Sequence, residues 1–152
     1  MSDEELMRAA LAVAQKALAS GDVPVGAVIV DKEGEIIAIG HNERELRNDP
    51  TAHAEIVAIR RACEKIGKWR LEEYKLVVTL EPCAMCAGAI AQARISTLVF
   101  GAWDEKAGAV GSVWDLLRDR RSLYKVEVRS EVLAKECAAM LKDFIQGVRK
   151  RG

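Results

Sequence analysis

No stretch of this chain is apolar for the roughly 18 consecutive positions that a membrane-spanning helix needs. Met1 to Glu5 also lacks the basic start and apolar run of a secretory leader, so a cytoplasmic enzyme is expected, with no membrane partner. Net charge is missing too. Lys+Arg and Asp+Glu each number 23, so there is no long-range pull on polyanions, and any nucleic-acid contact must be a local patch. The chain shows no internal repeat, low-complexity tract or interdomain linker, and 152 residues that are 50% hydrophobic suffice for one core. A single domain over residues 1–152 is expected.

Cysteine and histidine are sparse, with Cys63, Cys83, Cys86 and Cys137 beside His41 and His53. Four cysteines can make two disulfides in a secreted protein, whereas in a reducing compartment a close pair serves metal binding or redox chemistry. Taken alone, Cys83-Ala84-Met85-Cys86 fits either of the last two.

From Asp3 to Ser20, Leu6, Ala9, Ala10, Val13, Ala14, Ala17 and Leu18 recur at helical spacing, with Ser2 placed to cap the start and Gly21 just past the end. The runs Val25–Val30 and Glu35–Gly40 flank Asp31-Lys32-Glu33-Gly34 and predict an antiparallel hairpin. Polar His41–Thr51 predicts an ordered loop, and Ala52–Ile66 a helix with His53 in its first turn. Tyr74–Leu80 predicts a third strand. Pro82 then occupies an expected first helical position, so that Cys83–Ala93 forms a helix with Cys83 and Cys86 on one face. Ser96–Gly101 and Val126–Val128 predict two more strands, Val113–Arg118 a short helix and Leu133–Val148 a final amphipathic one. Strands alternating with helices predict an α/β layered fold around a sheet of about five strands.

His53-Ala54-Glu55 opens one expected helix and Pro82-Cys83-Ala84-Met85-Cys86 opens another. A catalytic zinc takes three protein ligands from imidazole and thiolate and leaves the fourth position to water, and one His with two Cys meets that count. Helix starts carry about half a positive charge, which favours the thiolates before any metal binds. Zinc lowers the pKa of its water to about 7, and Glu55 stands close enough to move the proton without being a ligand. A closed structural site would need a fourth protein ligand; Cys63 and Cys137 instead fall on apolar helical faces, as packing residues.

His53-x-Glu55 followed by Pro82-Cys83-x-x-Cys86 resembles the signature of the cytidine/deoxycytidylate deaminase superfamily. Further segments look like the bacterial tRNA adenosine deaminase family: Gly21 to Val28, His41-Asn42, Asp49 to Glu55, Thr79 to Cys83, Cys86 to Ala89, Phe100-Gly101-Ala102, Gly108, Gly111-Ser112 and Glu136 to Ala139. The resemblance implies a three-layer α/β/α cytidine deaminase-like fold with a mixed five-stranded sheet. It also implies one Zn2+ per subunit on His53, Cys83 and Cys86, with Glu55 carrying the water proton to the ring nitrogen and the departing ammonia. Asn42 would hydrogen-bond the target base, Val25 and Ala54 would line its pocket, and Asp104 and Phe144 would lie near flanking nucleotides. The implied reaction is adenosine-to-inosine conversion at the wobble position of a tRNA anticodon loop. The implied assembly is a homodimer, for which Ala87 to Ala93 offers a small-residue face.

One segment departs from the family. Before the last strand the family typically carries Asn-His and a basic residue, where this chain has Leu123-Tyr124-Lys125. Tyr124 retains the capacity to stack on a base. The alternative substrate is a small amino-heterocycle: a free aminopurine or guanine, a nucleoside or an aminotriazine. A zinc-stabilised RNA-binding module and a Cys83–Cys86 thiol oxidoreductase are the competing classes. Glu81 is expected to cap or orient the loop before the metal pair, and Trp103 to border a pocket. Two basic clusters, Arg118/Arg120/Arg121 and Arg149/Lys150/Arg151, face either solvent or phosphate.

Overall fold

The aliphatic runs Val28-Ile29-Val30 and Leu76-Val77-Val78 are fully or almost fully buried and make the middle of the sheet. The computed structural model describes residues 1–151. Gly152, the end of the expected domain, lies outside the described residues, as does the side chain of Arg151 in the second basic cluster. In chain order the elements are α1 (Asp3–Gln15), β1 (Gly26–Val30), β2 (Ile36–His41), α2 (Arg44–Arg47), α3 (Ala54–Ile66), β3 (Lys75–Leu80), α4 (Ala84–Gln92), β4 (Thr97–Ala102), β5 (Glu127–Arg129) and α5 (Ala134–Arg151). The five strands lie in the order β2-β1-β3-β4-β5. β1 pairs antiparallel with β2 and β3, while β3, β4 and β5 run parallel, so the sheet is mixed, as the resemblance implied.

Strand alternation sends β1 to two different cores. Ala27 and Ile29 pack with Ala54, Ala58, Ala87 and Ile90 of α3 and α4, whereas Val28 and Val30 pack with Leu6, Met7 and Ala10 of α1 and with Cys137 of α5. That gives three layers. Burying Leu6, Met7 and Val13 stabilises the α1 layer by about 1.5–3 kcal/mol per side chain. Helix and strand approach closely where side chains are smallest: a Cβ on Gly26 would overlap the backbone of Ala10 and Ala14, and one on Gly40 that of Ala54 and Ala58.

Ser2 caps α1 as expected, accepting the Glu5 N–H at 3.1 Å. The helix expected to run to Ser20 tightens over Lys16–Ser20 into a 3-10 helix and stops at Gly21, whose φ of 74° suits glycine. The loop expected over His41–Thr51 contains the single turn of α2. The short helix expected over Val113–Arg118 does not form. Those residues make turns, because the Leu116 N–H, which a helix would direct to the Ser112 carbonyl, donates to the Ala109 carbonyl at 2.9 Å, and Asp115 bridges Val110. Six residues cannot nucleate a helix against such competition. Among the described residues no helix is long and apolar enough to cross a membrane.

Candidate active site

The expected metal ligands His53, Cys83 and Cys86, together with Glu55, Asn42, Val25, Ala54 and Asp104, lie around the end of the sheet where β3 and β4 stop and β1 starts, which is where open α/β sheets place ligands. His53 is the N-cap of α3, extended at φ −71° and ψ 154°, and not in the first turn as expected. The reason is a side chain from elsewhere: Asn42 Oδ1 accepts the Ala54 N–H at 2.8 Å, doing the work of a cap and leaving the imidazole clear of the helix. Cys83 is likewise the N-cap of α4, extended at φ −75° and ψ 178°. Pro82 therefore precedes the helix instead of opening it, because residues 82 and 83 are held extended against another loop. Ala109 N–H donates to the Pro82 carbonyl at 2.8 Å, and Cys83 bridges Gly108. Cys86 sits in the first turn, fully buried.

These two helix starts bring His53 Nδ1 within 3.6 Å of Cys83 Sγ and 3.5 Å of Cys86 Sγ, and the three ligand atoms all lie within 4.8 Å of one another. Tetrahedral zinc, with Zn–S about 2.3 Å and Zn–N about 2.0–2.1 Å, demands an N···S separation of about 3.5–3.6 Å. The donor set and its spacing fit. The Cys86 hydrogen bond, with the His53 bond in support, pulls the Cys83 thiol down to about 3, while the proton left to Cys86 raises its own. His53 is raised by its hydrogen bond with Cys83. The three side chains can together hold a metal ion.

Glu55, 4% exposed in the first turn of α3, has its carboxyl pushed up to about 7 by burial. A carboxyl near 7 both gives and takes a proton at neutral pH, which is what acid–base catalysis asks of it. Cys137 takes no part: burial pushes its thiol up to about 11, and it packs under β4.

Asn42 is 8% exposed and is bound on three sides. Its N–H donates to Val25 O at 3.2 Å, its amide donates to Val23 O at 3.0 Å, and its Oδ1 takes Ala54. The expected pocket residues Val25, Asn42 and Ala54 are thereby brought together. Asp104 lies across the site, with its N–H on Glu81 Oε1 at 2.9 Å. Phe144 is not gathered with them; it lines a groove of about 670 Å³ between the end of the 3-10 helix and α5, with Leu18, Pro24 and Met140. Trp103 stands 39% exposed on the rim, edge-on to Phe100 at 5.0 Å. Tyr124 lies at the opposite end of the sheet, where the Arg94 guanidinium covers its ring at 3.5 Å. Of the first basic cluster, Arg118 pairs with Asp115 and Arg121 with Asp119.

Three buried carboxylates shape the site in ways that the sequence left unassigned or understated. Asp22 accepts the N–H groups of Glu45 at 2.8 Å and Leu46 at 3.3 Å, capping α2 from across the chain. Glu43 receives Arg47 and Arg61, each at 3.1 Å, and Arg61 also reaches the Ile39 carbonyl. Glu81 accepts Asp104, Val110 and Ser112 N–H groups and the Ser112 hydroxyl. Arg47 stands at helical spacing from Glu43, but Arg61 and the N–H groups that Asp22 caps lie 18 to 24 residues from their carboxylates, invisible to local periodicity.

The chain is similar to known proteins over nearly its whole length. A family model described as MafB19-like deaminase matches residues 1–149. The tRNA-specific adenosine deaminase of Haemophilus influenzae is 51% identical over 144 residues, covering 95% of this chain and 83% of that protein. Its namesake from Bacillus subtilis is 48% identical over 149 residues, covering 98% and 92%. A structure solved in work on A-to-I editing by tRNA:A34 deaminases superposes with a TM-score of 0.85 at 43% identity, over 90% of this chain and 98% of that one. With a His/Cys/Cys group, a buried glutamate beside it and this coverage, the chain belongs to the MafB19-like deaminase family.

Proposed function

We propose that this chain is a zinc-dependent aminohydrolase that converts adenosine to inosine at the wobble position of a tRNA anticodon loop. The observation that carries the chemistry is the pairing of a three-ligand group at zinc-compatible spacing with Glu55 buried beside it. Support for the substrate comes from relatives at 48–51% identity that are named for tRNA adenosine.

His53, Cys83 and Cys86 would hold one zinc, which when bound activates water at neutral pH. Glu55 would take one water proton on its carboxylate and pass it to N1 of the purine as the oxygen adds to C6, then take the proton left on that oxygen and give it to the exocyclic nitrogen as the C6–N bond breaks and ammonia leaves. Asn42 positions the base through whatever hydrogen-bonding capacity its three protein contacts leave, with Val25 and Ala54 as the apolar walls. An unstacked loop base suits so enclosed a pocket, since a stacked one cannot enter. Asp104, and Phe144 from the groove beside α5, would contact the neighbouring nucleotides.

The same proposal includes a single catalytic domain over 1–152 working in the cytoplasm as a homodimer. Ala87, Ile90 and Ala93 of the face expected to pair pack into the core instead; favouring the dimer, the outward side of α4 offers Ala84, Met85 and Gly88, and Trp103, Val113 and Trp114 stand exposed on the loops after β4. The test is inosine formation in an anticodon stem-loop beside ammonia release from a panel of free aminopurines, nucleosides and aminotriazines, with the mass of the zinc-loaded protein measured alongside. Wobble inosine in the stem-loop, lost steeply as salt rises, supports the RNA substrate. Turnover confined to a small heterocycle, or a monomer at micromolar concentration, contradicts the respective part.

A further inference from the structure

We propose that Glu81 is a positioning residue for substrate binding, acting through residues 104–112, the loop that forms the Cys83-side wall of the site. This deepens the RNA-deaminase reading and rests on it. Glu81 begins where β3 and β4 stop: its own N–H donates to the Ala102 carbonyl at 2.8 Å, and its side chain is 2% exposed. Four donors converge on that carboxylate. Oε1 takes the Asp104 N–H at 2.9 Å and the Ser112 hydroxyl, while Oε2 takes the Val110 N–H at 2.9 Å and the Ser112 N–H at 3.1 Å. That count fills the roughly four lone-pair sites of an ionised carboxylate.

Among the described residues no Lys or Arg forms an ion pair with Glu81, so its charge is held by backbone dipoles and one hydroxyl, as in an anion nest. A desolvated charge is costly unless fully bonded. Any displacement of the loop would leave that charge short of donors, so the loop has one low-energy position. The fit is close enough to exclude a side chain, because a Cβ on Gly108 would collide with the Glu81 carboxylate.

Two consequences reach the site. The Asp104 backbone is fixed by Glu81, and the Asp104 carboxylate in turn accepts the Lys106 and Ala107 N–H groups at 3.1 and 3.2 Å, which sets how residues 103–107 face the substrate. The same loop braces Pro82 through Ala109 and Cys83 through Gly108, yet neither contact involves a sulfur. Loosening the loop should therefore change the fit of the flanking nucleotides more than the grip on the metal.

Glu81→Gln tests this, since one amide NH2 would face N–H donors. In the zinc-loaded enzyme acting on an anticodon stem-loop, KM should rise about tenfold with kcat within about threefold and zinc content unchanged. Ser112→Ala, which deletes the hydroxyl donor alone, should raise KM by about two- to threefold and keeps the test available if Glu81→Gln does not fold. A fall in kcat at unchanged KM, zinc lost in step with activity, or no kinetic change in either variant would overturn the proposal while the RNA reading stands. A wild-type enzyme inert on the stem-loop would overturn the RNA reading and this inference with it.

Discussion

Where β3 and β4 stop, Asp22, Glu43, Glu55 and Glu81 are each no more than 4% exposed, whereas where the same strands start, Asp3, Lys75 and Arg94 meet their partners in partly exposed pairs. Three of the four buried carboxylates are bonded to several donors: Asp22 to backbone N–H groups, Glu43 to two guanidiniums, Glu81 to four donors. Glu55 differs, because its burial is not matched by such a set and its carboxyl rises to about 7. The contrast teaches a division of labour. Fully bonded charges fix the walls, and the one under-bonded charge is left able to exchange protons. At the far end, charge lies in solvent-screened pairs that contribute little.

The sharpest way to break the comparison is Glu55→Gln. Deamination should fall by about 10²- to 10⁴-fold with zinc retained, as for loss of a general acid–base; a variant of near wild-type rate in a stem-loop assay would remove Glu55 from the chemistry. Glu43→Ala should lower the unfolding free energy in urea by about 1–3 kcal/mol, since Arg61 and Arg47 lose a buried acceptor. Asp3→Ala at the opposite end, although it removes partners from Lys75 and Arg129, should cost less than about 1 kcal/mol. Equal losses would erase the difference between the ends.

Acid should find the same asymmetry. Burial raises the Asp22 carboxyl, but the Glu45 and Leu46 N–H groups and the Ser20 hydroxyl outweigh it and lower it below 3.8; burial likewise opposes Arg47 and Arg61 at Glu43, which ends below 4.5. A carboxyl depressed in the folded state stabilises above its unfolded value and loses that contribution as pH falls through the folded one. Urea melts should therefore weaken below about pH 4, and Asp22→Asn should flatten the slope there. The smallest effect belongs to Tyr124→Phe, which removes the hydroxyl that Arg94 bonds at 2.8 Å but keeps the stacked ring. Less than about 1 kcal/mol should be lost, with KM for the stem-loop unchanged; a raised KM would return Tyr124 to the substrate path.

Elements with their own periodicity were legible in the sequence: α1 with its Ser2 cap, the β1–β2 hairpin, β3 and α3 stand within a few residues of where the pattern puts them. What escaped was decided by distant partners. α2 is too short to show a period and is capped by Asp22, the helix expected after Gly111 gives way to the pairing of Asp115 with Val110 and of Leu116 with Ala109, and His53 leaves the helix because Asn42 caps it. The metal group was legible because His-x-Glu and Cys-x-x-Cys each sit at a helix start, where ligand geometry is local. The walls were not, since Glu43 and Arg61 meet only through the fold.

Zinc-edge X-ray absorption on the purified, zinc-loaded protein measures the arrangement on which all of this depends. One nitrogen and two sulfurs, completed by a single oxygen that survives Glu55→Gln, is the expected shell. A fourth protein ligand, or an oxygen that disappears with Glu55, would contradict it.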